Sequence, residues 1–288
     1  MKKIFLYAIL CLSFTQLKAQ QGVVFKIKYL PNHNYTMAIN IGMKLDATMS
    51  GDTSLINKLK TQGITQPVAV DLKMAMNGNM KSGSVGADNT FPLNMDFKIA
   101  DLSVSANGKQ APIPPSISEK DIKVVAHVSQ DGKFTIDSAA GKKANDTTQK
   151  KMQKMMDLVQ KQIQFPEKPL KPGDSFTQSM PMNMPMNMPG GSGNNDIKID
   201  AGVTYKLISI SDGKAYFDMV PNFSMNFKIK NTSVSVTGTG TGKMVYSIKD
   251  NYPLSKDANF TMKIKVTSEK LNVDATAAIT TSYTSTIN

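Results

Sequence analysis

The chain has 288 residues, a net charge of +12 at pH 7, and neither arginine nor tryptophan. Proteins that read DNA or RNA depend on arginine for phosphate and guanine contacts and on aromatic rings for base stacking, so this composition argues against a nucleic-acid partner. Two histidines and one cysteine leave little material for metal binding or thiol chemistry.

The first 19 residues match a secretory signal peptide. Lys2 and Lys3 precede an apolar stretch over residues 4–14, and the segment 17–19 fits a cleavage site. We therefore predict a periplasmic or secreted protein whose mature chain, residues 20–288, folds as a single β domain. No cofactor is predicted.

Membrane anchoring is not expected from the sequence. Cys11 follows Leu10, whereas lipoprotein signals place a small residue before the lipidated cysteine. No later segment approaches the ~20 apolar residues of a spanning helix, so the chain is predicted not to be transmembrane.

Alternation of apolar and polar residues predicts β-strands along most of the chain. Rows of alternate apolar residues begin at Met37, Val68, Leu93, Phe223, Phe260 and Leu271. Because each row leaves polar residues on its opposite face, the pattern favours an antiparallel sheet. We predict a mainly β fold, a curved antiparallel sheet or half-barrel; two small β domains joined by a helix are the alternative.

Two helices interrupt the strand pattern. A short one is predicted at about 53–62, with Asp52 able to cap its start. A longer one is predicted at about 146–164, because Asp146 and Gln149 have the spacing of a capping box. Its apolar stripe consists of Met152, Met155, Met156, Val159 and Ile163.

Two segments about 130 residues apart are nearly the same. Residues 95–108 and 225–238 are identical at eight of fourteen positions without a gap, and weaker matches follow in the same order. This similarity predicts a duplicated β unit, with halves at about 20–145 and 166–288 joined by the helix 146–164.

The chain contains 20 methionines, and one segment alternates them with proline and asparagine. The methionines of this run are Met180, Met182, Met184, Met186 and Met188. Alternate thioethers suit Cu(I), which makes a copper-binding protein one hypothesis. Prolines cannot donate to a sheet ladder, so an edge strand or extended loop is the simpler interpretation, and we favour the edge strand.

The lysines alternate along the predicted strands, as in Lys26 and Lys28 or Lys263 and Lys265. A solvated outer face explains this pattern, and attraction to an anionic membrane surface is the alternative. No catalytic constellation is evident. His33 and His127 are far apart in sequence, so no catalytic residue and no enzymatic activity are predicted.

The signal end Lys18-Ala19-Gln20, the segment 170–176 (LKPGDSF) and the segment 205–210 (YKLISI) resemble a family of exported proteins of unknown function in Bacteroidota. The resemblance covers most of the mature chain, but its motifs are structural and imply no catalytic residues. More distantly, a curved sheet with one amphipathic helix is similar to periplasmic lipoprotein carriers and lipid-binding half-barrels.

These patterns predict an exported, non-enzymatic protein that binds an apolar or amphipathic, lipid-like ligand or serves in the cell envelope. A structural or interaction protein with a filled core is the alternative. Besides the helix stripe, the predicted ligand-contacting residues are Met95, Phe97, Met225 and Phe227.

Overall fold

The computed structural model describes residues 22–61, 65–113, 121–129, 132–139, 142–143, 163–186, 195–229 and 231–288. Its strands are β1 (Asn34–Gly51), β2 (Val68–Ser82), β3 (Thr90–Ala106), β4 (Lys109–Gln110), β5 (Asp121–Ser129), β6 (Phe134–Ala139), β7 (Lys142–Lys143), β8 (Ser175–Met186), β9 (Asn195–Ser211), β10 (Lys214–Ile229), β11 (Thr232–Ser247), β12 (Tyr252–Thr267) and β13 (Leu271–Ile287). One helix, α1 (Thr53–Thr61), follows β1 in the described part of the chain.

All thirteen strands belong to one antiparallel sheet. Its order is β7-β6-β5-β3-β2-β1-β13-β12-β11-β10-β9-β8, with β4 paired to β3. Each half of the chain is a meander, and the two meanders meet where β1 pairs with β13, from Tyr35 opposite Ile287 to Gly51 opposite Leu271. The predicted curved antiparallel sheet is confirmed, and across the described residues it is not closed.

The duplicated pattern has a structural counterpart in one pair of strands. The register shifts between Val125 and Ala126 in β5, and again between Val245 and Tyr246 in β11. These positions lie 120 residues apart and are aligned with each other by the sequence similarity. A bulge of this kind bends its strand locally, so the two meanders share a bend as well as a pattern.

The strongest sequence match does not correspond to equivalent strands. Residues 95–99 and 103–105 lie in the single strand β3, whereas 225–229 end β10 and 233–235 begin β11. The same residue types therefore occur before and after a turn in one half and in one uninterrupted strand in the other. The division into halves at 20–145 and 166–288, and the single domain, stay predictions.

The short helix is where the sequence places it. The Asp52 carboxylate accepts hydrogen bonds from the backbone N–H groups of Ser54 (2.8 Å) and Leu55 (3.2 Å), as a helix N-cap does. The Ser54 hydroxyl donates to the same carboxylate (2.5 Å), and this hydrogen bond, together with the two backbone ones, holds the pKa of Asp52 below its ordinary value. Of the longer predicted helix, 146–162 lie outside the described residues, and Ile163 and Gln164 are not helical, which corrects its predicted end.

Two clusters of buried side chains lie at one end of the long strands, on the face that we call the inner face. The first cluster is formed by Tyr35, Met37, Met80, Phe91, Leu93, Met95, Val124, Ala126, Val128, Phe134, Ile136 and Tyr252. The second is formed by Phe25, Ile163, Leu170, Tyr205, Leu207, Ala215, Phe217, Met219, Met244 and Tyr246. We call this end of the sheet the closed end.

The segment before β1 crosses the closed end and joins the two clusters. Val23 exchanges two backbone hydrogen bonds with Leu170, of 2.8 and 2.9 Å. Phe25 is buried in the second cluster, Ile27 packs against both clusters, and Tyr29 packs against the first. Alternate residues of an extended segment therefore fill the space beneath both meanders.

Three glycines on the inner face of β11 let the neighbouring strand approach closely. Gly238, Gly240 and Gly242 lie opposite Met262, Phe260 and Ala258 of β12. A Cβ added to Gly240 would overlap the Asn259 carbonyl oxygen and the Phe260 Cβ, which are fixed parts of the strand. Glycine is needed here because the sheet bends toward this face.

We expect Gly240→Ala to lower the free energy of unfolding by about 1–3 kcal/mol, because the added methyl group meets backbone atoms that cannot rotate away. Gly42→Ala in β1 is the matched control, since its added Cβ would meet only the Thr280 hydroxyl, at 2.7 Å, which can rotate. Urea denaturation measures both. Equal losses of stability in the two variants would contradict this account of the bend.

Candidate functional site

Away from the closed end, the inner face stays apolar, and most of its side chains are half-exposed; Ala47, Val236 and Ala277 are buried exceptions. Val104, Leu72, Met43, Ile279 and Phe260 are successive cross-strand partners on β3, β2, β1, β13 and β12. Each of these side chains is half-exposed, whereas the side chains of the two clusters are buried. We call this part of the inner face the open half.

The open half forms one continuous surface across both meanders. A second line of cross-strand partners lies in the second meander and runs from β10 to β13. Its members are Met225, Val236, Ile264 and Ala275. Monomeric soluble proteins rarely expose continuous apolar patches larger than a few hundred Å², and larger patches mark binding sites. The open half is therefore the candidate functional site.

The structure separates the residues predicted to contact a ligand. Met95 is 1% exposed in the first cluster, and Phe97 packs against that cluster. Met225 and Phe227 instead lie half-exposed on the open half. Ile163 is 6% exposed in the second cluster, and the other stripe residues, Met152, Met155, Met156 and Val159, lie outside the described residues.

A shallow depression of about 390 Å³ lies where β10 ends and β11 begins, far from the closed end. Phe227 and Val234 supply its apolar part, and Lys228 and Lys265 supply its charge. This volume falls in the range of small-molecule pockets, about 300–1,000 Å³. Six of its eight lining residues, Lys228 and Lys265 among them, have the outward phase of their strands, so the depression belongs to the outer face and not to the open half.

The methionine run lies at one edge of the sheet, as the edge-strand interpretation predicts. Over Ser175–Met186 it forms β8, the last strand in the sheet order, and Met188 lies outside the described residues. Met180 is paired with Ala201 and Met182 with Ile199, without a register shift along the strand.

The copper-binding alternative stays a prediction that titration decides. We expect a variant with Met180, Met182, Met184, Met186 and Met188 all changed to leucine to bind Cu(I) as weakly as the parent chain. Leucine keeps the apolar character of these positions and removes the thioether ligands. Competition for Cu(I) with a chromophoric chelator measures the affinity. Tight binding by the parent chain that is lost in the variant would contradict this expectation.

The two histidines lie in different environments. His33 Nδ1 is 2.7 Å from the Pro31 carbonyl oxygen in the turn before β1. His127 Nδ1 is 2.5 Å from an Asp137 carboxylate oxygen, and both side chains are well exposed. Neither histidine lies on the open half.

Further chemistry is limited in the part of the chain that the structure describes. There, no group of three or more His, Cys, Asp and Glu residues is placed to hold a metal ion. No helix among the described residues is both long and apolar enough to cross a membrane.

One residue at the boundary between the closed end and the open half was missed by the sequence analysis. Lys256 lies on the inner face of β12, between Met244 of β11 and Tyr283 of β13. The signal was present in the sequence, because Lys256 shares its phase with Phe260 and Met262, whereas the other lysines of β12 have the opposite phase. Those other lysines are exposed on the outer face.

Two buried tyrosines of the second cluster differ in their hydrogen bonding. The Tyr246 hydroxyl donates to the Lys26 carbonyl oxygen and so ties the crossing segment to β11. The Tyr205 hydroxyl, equally buried, has no hydrogen-bond partner. Burial raises the pKa of both hydroxyls to about 12, so both stay protonated in the physiological range.

We expect Tyr246→Phe to lower the free energy of unfolding by about 1 kcal/mol, because it removes a hydrogen bond and leaves the Lys26 carbonyl unsatisfied. Hydrogen exchange of residues 22–30 should become faster as the crossing segment loosens. Tyr205→Phe is the matched control and should be neutral or stabilising. Urea denaturation and exchange mass spectrometry measure the two effects. A greater loss in Tyr205→Phe would contradict the assignment.

Comparison with known proteins gives distant structural likenesses alone. No family model and no curated protein matches the chain. A Bacteroides fragilis protein described as exported, with a YmcC-like fold, is 9% identical over 89% of this chain and 98% of its own, with a TM-score of 0.15. TM-scores this low carry no information about function.

Two outer-membrane proteins are structurally similar to this chain to the same low degree. The β domain of the Bordetella autotransporter BrkA is 8% identical over 87% of this chain and 98% of its own, with a TM-score of 0.19. The Escherichia coli outer-membrane protease OmpT is 7% identical over 91% of this chain and 99% of its own, with a TM-score of 0.18. The resemblance to an exported family of Bacteroidota stays a prediction.

Proposed function

We propose that this protein is an exported, non-enzymatic binding protein that holds an apolar or amphipathic chain against the open half of its sheet. The observation that carries the proposal is the largely half-exposed apolar surface from Val104 across to Met225, in which Val236 is buried. Covering such a surface with a ligand removes apolar area from water and stabilises the complex by about 25 cal/mol per Å² buried, before the cost of association.

The composition of the open half supports a ligand of variable shape. Met43, Met74, Met225 and Met262 all lie half-exposed on inner rows. Methionine is unbranched and polarizable, so its side chain adapts to different apolar partners. Acyl chains vary in length and unsaturation, and a methionine-rich surface accommodates that variation better than a rigid aliphatic one.

The alternative of a structural protein with a filled core rests on the closed end. There Leu93, Tyr205 and Phe217 are fully buried, and the crossing segment fills the space between the meanders. A core of this kind accounts for stability without any ligand. It does not account for the half-exposed apolar rows beyond it, and for this reason we favour the binding protein.

The location and the lack of activity belong to the same proposal. The signal peptide predicted at residues 1–19 supports a location in the periplasm or outside the cell. The open half is lined mainly by apolar side chains, and among the described inner rows of its long strands Lys256 is the one charged residue, with no second charged group beside it to form an acid–base pair. A surface of this kind suits holding or transfer of a ligand rather than its conversion.

We expect the double variant Met225→Gln and Met262→Gln to bind the neutral apolar probe N-phenyl-1-naphthylamine about tenfold more weakly than the parent chain. Glutamine keeps nearly the shape of methionine but places an amide on the surface that the ligand must desolvate. The fluorescence of the probe, which rises in apolar surroundings, measures the binding. Urea denaturation of the variant shows whether its fold is retained.

The matched control is Thr261→Gln, one residue before Met262 but on the outer face of β12, where the side chain is exposed. This variant should bind the probe with unchanged affinity. If the folded double variant binds as tightly as the parent chain, or if the parent chain does not bind the probe, the open half is not the binding surface and the structural alternative is favoured.

A further inference from the structure

Lys256 is the one charged residue on the inner rows of β1, β2, β3 and β9–β13 in the part of the chain that the structure describes. Its cross-strand partners are Met244 and Tyr283, and Ala258 and Phe260 follow it along the same row. The other charged residues of these strands, such as Lys263 and Asp274, occupy outward positions and are exposed. A single cation thus lies within an otherwise apolar surface.

The amine of Lys256 is partly desolvated and lacks a counter-ion. Its side chain is half-buried, and no carboxylate among the described residues forms an ion pair with it. Burial lowers the pKa of this amine below its ordinary value. A cation in this position costs folding free energy unless something compensates its charge.

A buried tyrosine lies beside Lys256. Tyr283 is directly opposite Lys256 in the ladder, and directly opposite residues have Cβ atoms about 4.5–5.5 Å apart. The Tyr283 hydroxyl is buried next to the side chains of Tyr252 and Ser285, and its ring packs against the first cluster. Lys256 therefore lies where the aromatic packing of the closed end stops.

We propose that Lys256 binds the carboxylate of a fatty-acid-like ligand whose chain lies along the open half. A carboxylate accepts hydrogen bonds from an ammonium group and balances its charge, so one ligand group compensates the cation. This inference rests on the proposed function and adds to it the charge and orientation of the ligand.

The row of residues after Lys256 gives the direction of the ligand chain. The row continues from Lys256 toward the C-terminal end of β12, away from the closed end. Its next large side chains are apolar and half-exposed: Phe260, Met262, Ile264 and Val266. From Lys256 to Val266 this row spans about 33 Å at the rise of a β-strand. The ligand head thus lies next to the closed end, and its tail points away from it.

The single cation favours a carboxylate over a phosphate monoester. A phosphate monoester carries a charge of about −1.5 to −2 at pH 7, and its burial would call for at least two cations. A carboxylate carries one negative charge, which Lys256 alone balances. The occupant is therefore a single-chain carboxylic acid rather than a single-chain phosphate.

The experiment measures displacement of N-phenyl-1-naphthylamine from the full mature chain by palmitate, 1-hexadecanol and hexadecyl phosphate, each below its aggregation concentration. These ligands share one tail and differ in the head group. We expect palmitate to bind about 10- to 100-fold more tightly than 1-hexadecanol, the range of a hydrogen bond to a charged group. We expect hexadecyl phosphate to bind no more tightly than palmitate.

The variants assign that preference to residues. Lys256→Met should bind palmitate and 1-hexadecanol equally, and its unliganded fold should be at least as stable as the parent, because an uncompensated charge is gone. Lys265→Met, on the outer face, is the matched control and should keep the full preference.

The outcomes separate this inference from the proposed function. Equal binding of palmitate and 1-hexadecanol by the parent chain, or a preference that survives Lys256→Met, overturns the carboxylate site and leaves apolar binding in place. Tighter binding of hexadecyl phosphate overturns the choice of carboxylate. Failure of all three ligands to displace the probe, or of the probe to bind, overturns the proposed function together with this inference.

Discussion

The pairing of β1 with β13 is the constraint on which the rest of the structure depends. Seventeen residue pairs join the two strands, and Asn34 and Asn288 extend the ladder with two more backbone hydrogen bonds. Each meander alone would have an unpaired long edge at this position. Their union produces a sheet wide enough to carry two separate clusters on one face, and it makes the apolar rows of both halves a single surface.

The closed end and the open half differ in what lies on the inner face, although their rows have similar composition. At the closed end, the crossing segment contributes Phe25, Ile27 and Tyr29, and large aromatic side chains complete the packing. In the open half, the described residues provide no such cover. The difference between stable core and candidate site therefore comes from the path of the chain before β1, rather than from the strands themselves.

Much of this architecture was predictable from the sequence, because local chemistry determines it. Strict alternation predicted that Met43 and Leu72 lie on an apolar face. Asp52 predicted the start of α1, and the prolines predicted that the methionine run is an edge strand. Each of these features depends on a few neighbouring residues. Alternation distinguishes the two faces of a strand, but it does not specify which strand pairs with which, so the central position of β1 and β13 was not predictable.

The candidate site was less predictable for the same reason. Met95 and Met225 occupy matching positions in the repeat, yet one is buried and the other half-exposed, because burial depends on distant segments that cover the sheet. The alternation pattern of β12 indicates that Lys256 faces inward, but the sequence does not show that it lacks a counter-ion. The order of strands also has a consequence for biosynthesis. β1 is the first of the thirteen described strands to be synthesised and its partner β13 is the last, so the first meander keeps an unpaired long edge until β13 has been made.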